Sequence, residues 1–233
     1  MKTQLVNRGS HISHAVRTSL VALGFSLCCL LGWSQNLIVN GDFENGNRGF
    51  GSAYHYSPGQ LLDAGRYDVT DDPPDDNPAF ARFGDHTSGS GRMMAVNGST
   101  TANQTVWSET VTLDPNSTYG FAAWVASLTA TSPAVLRFSI NGQQLGQDFT
   151  APGTTGNWVQ FTGVYFSGAG GNVPVTIVDQ NTVANGNDFA LDDISLQKIP
   201  NPEPSTLVLF GTGFLGLARL LRNRISHPPN ESS

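Results

Sequence analysis

Tyr54 and Tyr56 stand two residues apart in the stretch GFGSAYHYSPG, with His55 between them and glycine, serine and proline around them. Aromatic faces suit the apolar side of a pyranose, and a loop rich in small residues can present them, so these two tyrosines are the candidate glycan contacts. Trp107, Trp124 and Trp158 sit in alternating runs, where a core or sheet-face role is the ordinary one. Acid–base chemistry has less to draw on. Between residues 36 and 199 the histidines are His55 and His86, there is no cysteine, and no serine occupies a Gly-x-Ser-x-Gly elbow. Asp85 precedes His86 in FGDHTSG, but adjacent residues do not orient one another as an acid and a base must. A carboxylate pair for glycoside hydrolysis depends on a distance in space. The expectation is a protein that is not an enzyme. Asp71, Asp72, Asp75 and Asp76 crowd the run DVTDDPPDDNP, which lacks the glycine and spacing of an EF-hand loop. With Pro73 and Pro74 holding it extended, it reads as a solvated acidic loop.

The surrounding charge narrows the partners. The 233 residues carry 12 Lys and Arg against 18 Asp and Glu, a net charge of -6. Between Asn36 and Gln197 the only cations are five arginines. A basic nucleic-acid footprint is absent, whereas Asp-rich loops suit solubility or calcium. A chain of this length and 39% hydrophobic content supports one sizeable core.

Both ends read as targeting segments. A basic region through Arg17, an apolar run from Leu20 to Leu31 and small residues at Gly32 and Ser34 predict a secretory signal peptide over residues 1–34. Cys28 and Cys29 would leave with it. Residues 206–221 form a second apolar run of roughly 24 Å as a helix, short against a hydrocarbon core of about 30 Å. Arg219 and Arg222 sit near its end, able to reach the headgroups on the cytoplasmic side, and Arg224 follows. A short C-terminal transmembrane helix over this run, with a polar tail over 226–233, is expected. Pro202 and Pro204 stop the helix from continuing backward and leave an exposed linker open to a processing enzyme.

Pro202, Glu203 and Pro204, the glycine-containing apolar run and the closing Arg219, Arg222 and Arg224 resemble the PEP-CTERM sorting signal of Gram-negative bacteria. That resemblance covers about the last thirty residues. It implies insertion in the inner membrane, cleavage near the Pro-Glu-Pro motif by an exosortase-type enzyme, and release to the cell surface or an extracellular polysaccharide matrix. The polar extension from Ile225 to Ser233 is longer than the usual ending.

Between the two ends, residues 36–199 read as strands separated by turns. Runs at 36–40, 91–97, 104–113, 118–128, 134–141, 158–166, 173–179 and 188–197 alternate in part, Gly, Pro, Asn and Asp fill the gaps, and Asn141-Gly142 is a hairpin turn. No sustained helical period appears. An all-β fold, an antiparallel β-sandwich, follows.

The opening NLIVNGDFENG, the middle VWSETVTLDPNSTYGFAAWV, the later WVQFTGVYF and the closing NDFALDDISL are similar to carbohydrate-binding modules of the galactose-binding-like jelly-roll type. The similarity implies a jelly roll and polysaccharide binding. It also implies a structural calcium (Ca2+) where the first and last strands meet, with Glu44, Asp192 and Asp193 as the metal residues. Successive strand residues face opposite ways, so Asp192 and Asp193 can share one ion only across a bulge. Three functions stay open: a surface-displayed glycan-binding module, a structural or adhesive surface protein without a sugar site, and a polysaccharide hydrolase.

Overall fold

The computed structural model describes residues 34–200 and, in the C-terminal tail, residues 211–217, 219 and 222, which are helical. Nearly all of the expected signal peptide, the Pro202, Glu203 and Pro204 triplet, Arg224 and half of the expected membrane helix lie outside the described residues. Among the described residues no helix is long and apolar enough to cross a membrane.

Residues 35–200 form two β-sheets packed as a sandwich. In chain order the strands are β1 (His55–Tyr56), β2 (Arg66–Thr70), β3 (Met93–Asn97), β4 (Thr105–Leu113), β5 (Thr118–Ser127), β6 (Val135–Ile140), β7 (Gln143–Gln144), β8 (Phe149–Thr150), β9 (Val159–Phe166), β10 (Gly171–Asp179) and β11 (Phe189–Lys198). The six-stranded sheet runs β1-β2-β3-β11-β5-β9, and the five-stranded sheet runs β4-β10-β6-β7, with β8 also on β6. Every pairing is antiparallel except the two-residue β1 beside β2.

The period-two pattern sets which side chains meet. Along β5, Tyr119, Phe121, Ala123 and Val125 are buried between the sheets while Gly120, Ala122 and Trp124 face outward. The inner faces close on Trp107, Phe121, Phe138 and Phe189, all with 2% exposure or less, and Phe138 stacks on Phe161 at 4.1 Å. Burial of each such side chain is worth about 1.5–3 kcal/mol. Asn141 and Gly142, with φ of 52° and 75°, make the expected turn between β6 and β7. A left-handed pair of this kind matches the strand twist.

The two ends of the sandwich chain meet. The expected first strand, 36–40, makes only one bridge, from Asn36 to Gln197, and then turns. Asn36 holds that junction, its Oδ1 accepting from Leu196 N at 2.9 Å and Ile38 N at 3.1 Å. Farther along, Ile194 N donates to Gly41 O at 2.9 Å.

The segments 57–65 and 71–92, on either side of β2, make an excursion across the outer face of the six-stranded sheet. A second, smaller core forms beneath them from Leu61, Phe80, Met93, Ala95, Leu128 and Ala190, with Phe83 and Trp158 against it. Met93 and Met94 therefore point into different cores. Within this excursion the expected extended acidic loop is instead partly folded. Pro73–Asp76 is a helical turn started by the prolines, Asp72 pairs with Arg82, and Asp76 is buried. Proline at the first helical position sacrifices no hydrogen bond, which is why the pair starts the turn.

Candidate functional site

The site grows from an irregularity in β11. Its register against β5 shifts between Asp192 and Ser195, and Asp193 has a φ of 46°. The bulge turns two consecutive carboxylates toward one loop, residues 85–88 of the outer excursion. Asp192 Oδ2 accepts from His86 N at 2.8 Å and Thr87 N at 3.1 Å, and Oδ1 from Asp193 N at 2.8 Å. Asp193 Oδ2 meets His86 Nδ1 at 2.6 Å, and its Oδ1 accepts from Thr87 Oγ1 at 2.9 Å. Complete burial pushes the Asp192 carboxyl up to about 7, against the three backbone N–H groups that favour its charged form.

Held this way, the His86 ring lies on Trp124, centroids 3.7 Å apart and planes 17° apart, and meets Trp158 edge-on at 6.0 Å. Trp124 is the outward residue of β5 opposite Asp192 on one side and Gln160 on the other. Beside it opens a cleft of 390 Å³ whose lining includes Asn36, Asn40, Asp42, Trp124, Gln160 and Asp193. Asn36 and Asn40 are spent on backbone partners, with Asn40 Nδ2 donating to Gly46 O and Arg48 O. Asp42, Gln160 and Asp193 supply the polar edge, and neither lysine nor arginine lines the cleft. Hydroxyl donors fit such an edge.

Asp85 and His86 do not act on each other. Asp85 accepts from Ser88 N at 2.8 Å and Gly91 N at 2.7 Å. These bonds outweigh burial and hold its carboxyl below the usual range.

The two candidate tyrosines separate. Tyr54 is a correction: it is 5% exposed in the main core, and its hydroxyl accepts from Ser99 N at 3.0 Å. The glycines and serines around it are loop-like, but its ring fills the interior. Tyr56 is 39% exposed, its ring 5.4 Å from that of Tyr67. It stands on β1, four strand spacings or about 19 Å across the sheet from β5. Trp107 and Trp158 have structural places, Trp107 fully buried and Trp158 donating Nε1–H to Gly84 O at 3.1 Å.

The metal residues divide as well. The bulge brings Asp192 and Asp193 together, as sharing an ion would require. Glu44 lies across the loop, where its Oε1 accepts from Arg92 N at 2.9 Å. Asp192 Oδ2 already accepts two backbone N–H groups, those of His86 and Thr87. Among the described residues no three His, Cys, Asp or Glu side chains gather in metal-binding geometry. As placed, Glu44, Asp192 and Asp193 do not fit one calcium ion.

No curated protein sequence matches the chain. Residues 202–224 match the PEP-CTERM protein-sorting motif. Among solved structures, the CBM22-1 xylan-binding domain of Paenibacillus barcinonensis Xyn10C is similar at 17% identity, covering 65% of this chain and 94% of that one, with a TM-score of 0.42. A family 16 carbohydrate-binding module is similar at 20% identity, covering 69% and 99%, with a TM-score of 0.41. An arabinose-bound α-L-arabinofuranosidase is similar at 14% identity, covering 75% of this chain and 28% of that one, with a TM-score of 0.48. Likeness at this level assigns no ligand to this chain.

Proposed function

We propose that residues 35–200 are an exported, glycan-binding β-sandwich of the jelly-roll type. In this reading the PEP-CTERM motif delivers it, through an exosortase-type enzyme at the inner membrane, to the cell surface or extracellular matrix. The observation that carries the binding reading is the cleft at Trp124, where an aromatic wall stands beside Asp42, Gln160 and Asp193. Apolar sugar faces pack on the first, and sugar hydroxyls donate to the second. Tyr56, exposed at the far edge of the same sheet, is an outlying second contact, suited to a polymer rather than a monosaccharide.

One observation favours the structural or adhesive alternative: His86 covers one face of Trp124, leaving less of the indole for a sugar. Isothermal titration of the protein against neutral and acidic polysaccharides separates the two. Saturable heat abolished by Trp124→Ala supports the cleft, and no heat with any polymer supports the structural reading. Release of reducing sugar from those polymers would show a hydrolase instead.

A further inference from the structure

The tail leaves the sandwich from an end unlike the rest of its surface. Two loops bound that end, residues 114–117 between β4 and β5 and residues 167–170 between β9 and β10. They are bonded together by Asn116 N to Gly168 O at 2.7 Å and Ser167 N to Ser117 O at 2.9 Å. Of the 16 carboxylates in residues 35–200, these loops contain only Asp114, and Lys198 neutralises it at 3.0 Å. The β10–β11 loop at the opposite end is bounded by Asp179 and Asp188, and the remaining carboxylates lie away from the two neutral loops.

Apolar side chains gather where the charge is missing. Val164 and Phe166, outward on edge strand β9, are 65% and 58% exposed, and Ile199 is 44% exposed. They are contiguous: Val164 pairs with Gly120, Phe166 with Thr118, and Ile199 packs over Gly120 while its N–H bonds to Thr118 O at 2.8 Å. Ile199 is also the last residue before the linker. The six residues 200–205 separate it from the apolar run at 206, a reach of roughly 20 Å when fully extended.

We propose that, before processing, this end of the domain rests on the lipid surface, with Val164, Phe166 and Ile199 entering the interface. This rests on the reading of residues 206–221 as membrane-inserted. A short tether keeps the neutral end near the bilayer, and the acidic remainder turns away from anionic headgroups. Lipid is favoured over a second copy because tether, apolar patch and compensated charge coincide at one end.

The test uses the full chain with Cys28→Ala and Cys29→Ala, reconstituted in phosphatidylethanolamine and phosphatidylglycerol vesicles. A polarity-sensitive label is placed at Ala169→Cys beside the patch, Thr182→Cys at the opposite end, or Phe214→Cys in the tail. Doxyl-lipid should quench the labels at 214 and 169 severalfold more than the label at 182. Val164→Ser with Phe166→Ser should abolish quenching at 169 and leave 214 unchanged. An unquenched 169 with a quenched 214 overturns the docking alone, as does quenching at 169 that survives the serine changes. A blue shift at 169 without lipid quenching also overturns it, since protein rather than lipid then covers the patch. An unquenched 214 overturns the reading of the tail and the docking with it.

Discussion

His86 lies across Trp124 at 3.7 Å while its Nδ1 is fixed by Asp193 at 2.6 Å, so one carboxylate on the bulge of β11 sets how much indole the cleft exposes. Asp193→Ala should free the imidazole and uncover Trp124. Intrinsic fluorescence should shift as the indole meets water, and His86→Ala, which keeps the Asp193 carboxylate at the cleft edge, should raise or hold polysaccharide affinity. Trp124→Ala should weaken it by about tenfold or more, some 1.4 kcal/mol. Titration of the His86 and Trp124 variants checks this, and equal loss in the two would mean that His86 itself is the contact.

Stability should fall as pH rises from 5 to 8. Burial raises the carboxyls of Asp179 and Asp188 to about 6 and those of Asp76 and Asp192 to about 7, against 3.8 for an ordinary aspartate. A folded state with the higher pKa binds protons more tightly. Its contribution is complete below about pH 4 and lost as pH passes 6 to 7. Asp85 and Asp148, held low in the folded state, act in the opposite direction and only toward acid. The melting midpoint should therefore be higher at pH 5 than at pH 8. Asp188→Asn should flatten that slope, because an amide keeps the bonds to Gly98 N and Thr129 Oγ1 without titrating.

Gly41 permits the junction between the opening segment and β11. A Cβ there would stand 2.0 Å from Ile194 O, a backbone atom that cannot step aside. Gly41→Ala should cost more than about 2 kcal/mol in urea unfolding, whereas Gly153→Ala, with open space around it, should stay within about 0.5 kcal/mol.

Calcium makes a sharp test of the loop at 85–92. With Glu44 and the Asp192–Asp193 pair bonded to different parts of it, chelation should leave the melting midpoint of the domain unchanged. A rise of several degrees on adding calcium, lost in Glu44→Gln, would show that the loop rearranges to unite the three carboxylates.

Processing should depend on the sorting motif within 202–224. Pro202→Ala with Pro204→Ala should leave unprocessed protein in the inner membrane, visible as a larger band by immunoblot. Normal-sized protein in the medium would refute that role.

Legibility in the sequence followed how local each determinant was. The long strands showed because alternation and turn residues are neighbours, as in β5 and at Asn141-Gly142. Strand β2, Arg66–Thr70, was hidden because its alternation is short: only Tyr67 and Val69 mark the face it turns to the main core, between a glycine and the acidic run. Tyr54 misled because glycine and serine neighbours advertise a loop, while the ring's direction depends on Ser99, 45 residues on. The bulge could be stated as a condition on Asp192 and Asp193, but His86 approaches from more than a hundred residues earlier. The meeting of His86 with Trp124 leaves no mark in either one's neighbours.

The place of β11 sets a schedule for the living cell. This last strand lies between β3 and β5, so without it the six-stranded sheet is two fragments, and the opening segment has no Leu196 or Ile194 to bind. If the chain is exported N-terminus first, as proposed above, it cannot finish folding until residue 198 has emerged, with the apolar run at 206 following directly. In that reading, completion of the domain and arrival of the tail at the membrane would fall in the same moment. A chain cut short before Phe189 would reach the outside as an unfinished β-sheet with open edges, the form most exposed to proteases and to aggregation.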